Sequence, residues 1–274
     1  MIKLFITFLL FANVAWGAND IVLGVLHPGA NSITWVSGGG NNLVATFGVG
    51  PTSPPPLGIS NLVAHWKLND NAETTAVTDN TGVNDGTATN LTSAMSVAGK
   101  INQAFDLSKG YTTIPDSVSL SVSTGFTIVV WYNPPSFGGT KIAICKGSDT
   151  QGTMSYGLTE QSAIGGFMST SGGWQGWVGT TVGLTTGTWT HVAYTYDGAT
   201  QTIYSNAVQV WSTATSGNVF DGDGANAELC IGAKAVFHNE PSISKMDDVR
   251  IYDRALTPSE ISLIYNNGSG TELE

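Results

Sequence analysis

Between Leu62 and Asp253 the chain is a succession of short runs rich in Val, Ile, Thr, Tyr and Phe, each closed by Gly, Asn, Asp or Ser. The runs fall at 62–68, 104–108, 111–115, 126–133, 141–147, 154–160, 164–170, 188–198, 201–210, 228–234 and 246–253. Several alternate in character. Phe126, Ile128 and Val130 share one face and Val129 and Trp131 the other, while Val192, Tyr194 and Tyr196 share a face further on. A period of two over so few residues is the signature of a strand, and frequent turn residues between strands imply antiparallel neighbours. One segment breaks the pattern, after residue 253. Thr257 precedes Glu260 by three positions with Pro258 between them, which is a capping box with proline at the first helical position. Ile261, Ile264 and Tyr265 give that helix one apolar stripe, and Asn266-Asn267-Gly268 ends it. The sequence therefore predicts an all-β fold, a two-sheet antiparallel jelly-roll sandwich with one short C-terminal helix. No internal repeat of 20–50 residues is visible.

Composition agrees. Only 11% of residues are charged, against about 25% in an average domain. The 34 glycines serve turns. A formal net charge of −10 without a basic stripe excludes a nucleic-acid partner and favours cations or neutral ligands. Residues 1–17 have the form of a signal peptide: Lys3, an apolar core from Leu4 to Val14, and Ala15-Trp16-Gly17 before a cut. No other segment is apolar enough to span a membrane, so the mature chain is expected to be secreted, extracellular or at a cell surface. Residues 18–50 read as a short β-rich appendage, with strands at 21–26, 32–36 and 43–49, and 51–60 as a Pro-rich linker. The main domain runs over 61–268, followed by a tail at 269–274. Cys145 and Cys230 lie in short apolar runs, and an exported protein can oxidise them; the spacing leaves buried thiols and a disulfide both open.

A series of motifs in fixed order gives this domain a resemblance. LVAHWKLND (62–70), DNTGVNDGT (79–87), GKINQAFDLSKGYTTIP (99–115), FTIVVWYNPP (126–135), GTWTHVAYTYDGATQTIYSNA (187–207) and MDDVRIYDRALTPSEISLIY (246–265) resemble, in order, successive segments of the LamG-like jelly-roll family. That family is a branch of the concanavalin A-like lectin/glucanase superfamily. Ala207 stands where the family usually has glycine. The resemblance implies a sandwich whose first and last strands are adjacent, and a structural Ca²⁺ near that junction. The matching positions are Asp70, Asp79, Asn84 and Asp247. Carboxylates and carbonyls of an Asn/Gly loop suit the 6–8 oxygen ligands of Ca²⁺; the same residues also suit turn caps. Strand alternation sends Asp247 inward and Asp248 to solvent.

Other chemistry is sparse. Glycoside hydrolysis needs two facing carboxyl groups, and the glutamates are scattered; Glu160 and Glu228, at the ends of two runs, are the pair such a reaction would have to use. His65 and His191 sit beside Trp66 and Trp189 as core or strand-pair residues, without zinc spacing. The loop from Asp221 to Asn226 offers alternate oxygens to a cation, but lacks the EF-hand's terminal Glu and reads as a turn. GGWQGW (172–177) is the sugar-stacking candidate: Trp174 and Trp177 have glycines around them, and in an extended chain they face opposite ways. The expected function is a non-catalytic module, with no catalytic residues, that recognises carbohydrate or an extracellular protein surface. A structural or adhesion component of a surface or particle assembly is the alternative, and a polysaccharide-degrading enzyme the third.

Overall fold

The structure is a computed structural model. It describes residues 59–147, 154–160, 163–176, 184–221, 227–235 and 238–272, and the backbone of 33–37, 43–47 and 178–180. The signal-peptide segment, the strand expected at 21–26, Trp177 and the loop positions 222–226 lie outside the described residues. Contacts divide the chain into two units, Met1–Pro55 and Pro56–Glu274. In the first, β1 (Ile33–Ser37) pairs antiparallel with β2 (Leu43–Phe47).

The second unit opens with β3 (Leu62–Trp66), β4 (Ala76–Val77), β5 (Gly86–Ala88), a single helical turn α1 (Thr92–Met95), β6 (Ser96–Ala98), β7 (Gln103–Asp106) and β8 (Thr112–Ile114). The long strands follow: β9 (Phe126–Asn133), β10 (Lys141–Gly147), β11 (Met154–Glu160) and β12 (Ile164–Thr170). After the short β13 (Gly173–Trp174) and β14 (Val178–Thr180) come β15 (Thr190–Tyr196), β16 (Thr200–Ser205), β17 (Val208–Ala214), β18 (Leu229–Ile231), β19 (Lys245–Tyr252) and α2 (Pro258–Tyr265).

Two antiparallel sheets result. The first has the order β13-β12-β11-β10-β18-β8-β5-β4, with β14 also on β12. The second has the order β17-β16-β15-β9-β19-β7-β6, with β3 also on β19. The first and last strands of the domain are thus neighbours, with Val249 opposite Trp66 and Arg250 opposite His65.

The alternation read from the sequence explains the layers. Phe126, Ile128, Val130, Val192, Tyr194 and Tyr196 point between the sheets and meet Tyr156, Leu158, Met168, Leu229 and Ile231 of the other sheet in one buried core. Gly166 is forced by this packing, because a Cβ there would lie 2.5 Å from the Tyr194 ring. The outer face of the second sheet presents Val129, Ala193 and Tyr252, which α2 covers with Ile261 and Ile264. That helix starts as its capping box requires: Glu260 N–H donates to Thr257 Oγ1 at 3.3 Å and Thr257 N–H to Glu260 Oε2 at 2.8 Å. Asn266, left-handed at φ 47°, closes it.

Candidate functional site

Three groups of side chains carry more chemistry than packing needs. The first is the loop after β4. Asp79 is buried and accepts from the N–H groups of His65 (2.8 Å), Thr81 (3.0 Å) and Asn84 (2.9 Å) and from the Thr81 hydroxyl (2.5 Å). Burial raises its pKa, but these donors outweigh it and hold the carboxyl below its usual range. Asn84 is equally committed. Its Nδ2 donates to Val63 O at 3.0 Å, its Oδ1 accepts from Ser119 at 3.0 Å, and its carbonyl accepts the Trp66 indole N–H at 2.8 Å. The loop is a hydrogen-bonded clasp on β3.

The second group lies where β19 crosses β3 and β9. From Asp247 to Arg250 the strand takes three steps while β9 takes two, from Trp131 to Val129. This is a β-bulge, and Asp248 sits in it with φ 55°. The extra residue defeats simple alternation. Asp248 is fully buried rather than solvent-facing, and so is Asp247.

Asp248 Oδ1 lies 2.6 Å from His65 Nε2, 3.1 Å from Arg250 Nε and 3.0 Å from Arg250 Nη2. Arg250 also donates to the Thr271 carbonyl. All three side chains are buried. Burial opposes the charge on Asp248, but the Arg250 guanidinium and the His65 contact hold its pKa below the usual range. Burial lowers the pKa of His65 despite its bond to Asp248.

Asp247 differs. Its Oδ2 accepts from Ile101 N–H at 2.7 Å, while its buried Oδ1 has no hydrogen-bond partner. Burial pushes its pKa up to about 8, with Ile101 N–H opposing and the nearby Asp248 and Glu272 charges adding.

The third group is on the outer face of the first sheet. Ile142, Cys145, Met154, Phe167, Cys230, Ala233 and Ala235 form a buried apolar base there. Trp174 and Tyr111 lie half-buried against it. The Trp174 ring is 5.8 Å from Phe167, and Tyr111 stacks on His238 at 4.6 Å with 16° between planes. Glu228 Oε1 meets His238 Nε2 at 2.8 Å. A Cβ on Gly173, next to Trp174 in β13, would meet nothing within 4 Å.

The four residues matched to a Ca²⁺ site do not converge on one point. Asp79 and Asn84 share the clasp, with their oxygens engaged. Asp70 Oδ1 accepts from Thr78 N–H and Oγ1 at 3.2 and 2.9 Å, and Asp247 stands beside the Gly99–Ile101 turn. Among the described residues no group of three or more His, Cys, Asp or Glu is gathered as a metal would require. Of the four, the orphaned Oδ1 of Asp247 fits a cation. Asp79 and Asn84 do not.

Glu160 is buried at the end of β11, within 2.5 Å of Ser242 Oγ and 3.1 Å of Ser244 Oγ; burial raises its pKa while these hydroxyls oppose. Trp131 packs beneath α2 against Tyr265, 5.8 Å away. The Tyr111–His238 stack joins positions 127 apart (238 − 111), and no local pattern announces it.

Comparison with known proteins agrees with this architecture. No curated protein matches the chain. Among solved structures, domain 4 of AbnA, an extracellular arabinanase from Geobacillus stearothermophilus, in complex with arabinotriose, aligns with TM-score 0.56 and 24% identity over 74% of this chain and 97% of that one. The binding domain of Paraclostridial Mosquitocidal Protein 1 aligns with TM-score 0.56 and 17% identity over 76% of this chain. Trypanosoma rangeli sialidase in complex with sialic acid aligns with TM-score 0.57 and 16% identity over 81%. The chain spans 52% of the second structure and 36% of the third. At these identities the likeness is one of fold, shared by binding domains and a glycosidase alike. No helix among the described residues is long and apolar enough to cross a membrane. A laminin G model, described as concanavalin A-like lectin/glucanases superfamily, matches residues 106–262, more than half of the sequence. The chain belongs to the concanavalin A-like lectin/glucanases superfamily.

Proposed function

We propose that the protein is a secreted or cell-surface module that binds carbohydrate without cleaving it, on the outer face of the first sheet. The observation that carries this reading is the seating of Trp174 and the Tyr111–His238 stack, half-exposed, on one rigid apolar base. Sugar rings present C–H faces to aromatic rings and hydroxyls to nearby acceptors. Here Glu228 supplies a carboxylate beside the Tyr111–His238 stack, and Gln175 follows Trp174 in the chain. Catalysis is disfavoured because the Glu160 carboxyl is only 3% exposed and tied to two serines.

A glycan array tests the reading, and arabinan and sialylated oligosaccharides head the panel because two structural neighbours hold such ligands. Binding should fall about tenfold in Trp174→Ala, roughly the 1.4 kcal/mol of a stacking contact. An array with no binder would sink the reading. A bound glycan indifferent to both Trp174→Ala and Tyr111→Ala would sink the placement.

We also propose that Asp247 anchors a structural Ca²⁺, whose charge would take the place of the proton that burial otherwise imposes on this carboxyl. The unfolded Asp titrates near 3.8 and the folded one near 8, so in metal-free protein this group's contribution is complete below pH 4 and lost as pH rises towards 8. Millimolar CaCl₂ should therefore raise the melting temperature at pH 8 and do little at pH 4.5. Asp247→Asn should abolish the Ca²⁺ effect. Equal melting with CaCl₂ and with chelator at pH 8 would rule the ion out.

A further inference from the structure

The first sheet has a narrow waist. The strands β10 to β14 lie on one side and β8, β5 and β4 on the other, and the three residues of β18 join the two halves. On one flank β18 pairs with β10 through Ile144–Ile231, Cys145–Cys230 and Lys146–Leu229. On the other it pairs with β8 through three further pairs. Both cysteines of the chain thus stand directly opposite each other at the waist.

Gly147 N–H donates to Glu228 O at 3.0 Å and Gly232 N–H to Ala143 O at 2.7 Å. Counting in twos from these, Cys145 and Cys230 occupy a hydrogen-bonded position. There opposed Cα atoms are about 5.5 Å apart, within the range a disulfide spans, while the Cβ atoms stand at the wide end of about 4.5–5.5 Å and would close by about 1 Å to form the bond. Opposed residues of an antiparallel pair point to the same side of the sheet, and both sulfurs belong to the apolar base of the outer face.

We propose that Cys145 and Cys230 are a disulfide-forming pair that fastens β18 to β10. The bond would link positions 85 apart (230 − 145) and enclose β11 to β17 within one covalent loop. The co-reactant is a small disulfide of the glutathione type. One protein thiolate attacks it, forming a mixed disulfide and releasing one thiol. The second thiolate then attacks the protein sulfur and expels the other thiol. Two protein thiols and one small disulfide become one protein disulfide and two small thiols, with two electrons passed on. Both cysteines are fully buried in the fold and thiols in this structure. Oxidation therefore belongs to folding, before the outer face closes, and the bond is shielded afterwards.

The test is to refold the reduced chain in oxidised and reduced glutathione, quench in acid, denature, alkylate and weigh it. The same measurement on chain exported by an expression host reads the pair without refolding. Expected are a monomer about 2 Da lighter than the reduced chain that takes no alkyl group, a cross-linked peptide pair containing Cys145 and Cys230, and a melting temperature several degrees above that of the reduced protein, by about the effect of closing a long loop. Cys145→Ser should take one alkyl group and melt alike with and without reductant. The proposal is overturned if both cysteines are alkylated in the folded product of either route, if they link only between chains, or if the oxidised monomer melts no higher than the reduced one.

Discussion

Replacing Asp248 with alanine is expected to destabilise the domain by about 3–5 kcal/mol, the cost of stranding a buried charge. For a domain of this size that is a fall of roughly 10 °C in melting temperature. Arg250 is fully buried, and its guanidinium faces Asp248 at 3.0 and 3.1 Å. The Thr271 carbonyl is a neutral partner and cannot replace the charge. His65, 2.6 Å from the same oxygen, loses its partner too. The loss belongs to the broken pair more than to the pair itself, because two charges had to be desolvated to make it. Removing both charges together, in Asp248→Leu with Arg250→Met, should therefore recover a large part of the loss. Urea unfolding of the three proteins at pH 7 checks this. A loss below about 1 kcal/mol for Asp248→Ala, within the range of surface substitutions and mild core changes, would mean that the carboxylate does not neutralise Arg250.

At that cluster the fold stops being legible in the sequence. The strands were legible because each is half-buried and carries its own period of two, and α2 because a capping box is local: Thr257, Pro258 and Glu260 lie within four positions. The adjacency of the first and last strands followed from family resemblance, and the register of Val249 on Trp66 bears it out. The rule of alternation sends Asp248 to solvent, and it holds only while neighbouring strands advance in step. The bulge adds a residue on β19 and turns Asp248 inward. Nothing in MDDVRIYD marks the bulge, because its cause is the fit to β9 and β3. Asp79 reads in the sequence as a Ca²⁺ ligand or as a turn cap, because a carboxylate that collects N–H groups and one that collects a cation look alike there. In the structure the backbone brings the N–H groups of His65, Thr81 and Asn84 to Asp79. The outer aromatic face was half visible. Trp174 stood out among glycines, whereas Tyr111 and His238 come from distant loops and acquire meaning only when stacked.

The second large effect is expected in acid, and His191 carries it. This residue lies on β15 with no exposure, flanked by the rings of Trp131 at 5.1 Å and Tyr265 at 5.6 Å, and neither ring nitrogen has a hydrogen-bond partner. Burial pushes its pKa down to about 3, with the Asp248 charge opposing and the Arg250 charge assisting. An unfolded histidine titrates near 6.5. Between these values the unfolded chain binds a proton that the folded chain refuses, so stability falls as pH falls, by about 3 kcal/mol between pH 6.5 and 4. His65, whose pKa burial also lowers, adds to the same slope. Asp79 and Asp248, held below the usual carboxylate range, extend it below pH 4. Asp247 and Glu160, raised by burial, work in the opposite direction, so the wild-type profile alone does not isolate His191. His191→Phe does. It keeps a ring between Trp131 and Tyr265 and removes one titrating group while leaving the carboxylates in place. The quantity to measure is the change in unfolding free energy from pH 6.5 to 4 within each protein, which is insensitive to any constant cost of the substitution. The wild type should lose about 3 kcal/mol more over that interval than His191→Phe. Parallel profiles would show that His191 reaches a proton in the folded state, through water or an opening beneath α2, and would contradict the sealed setting that the bulge, the helix and the Asp248–Arg250 pair together build around it.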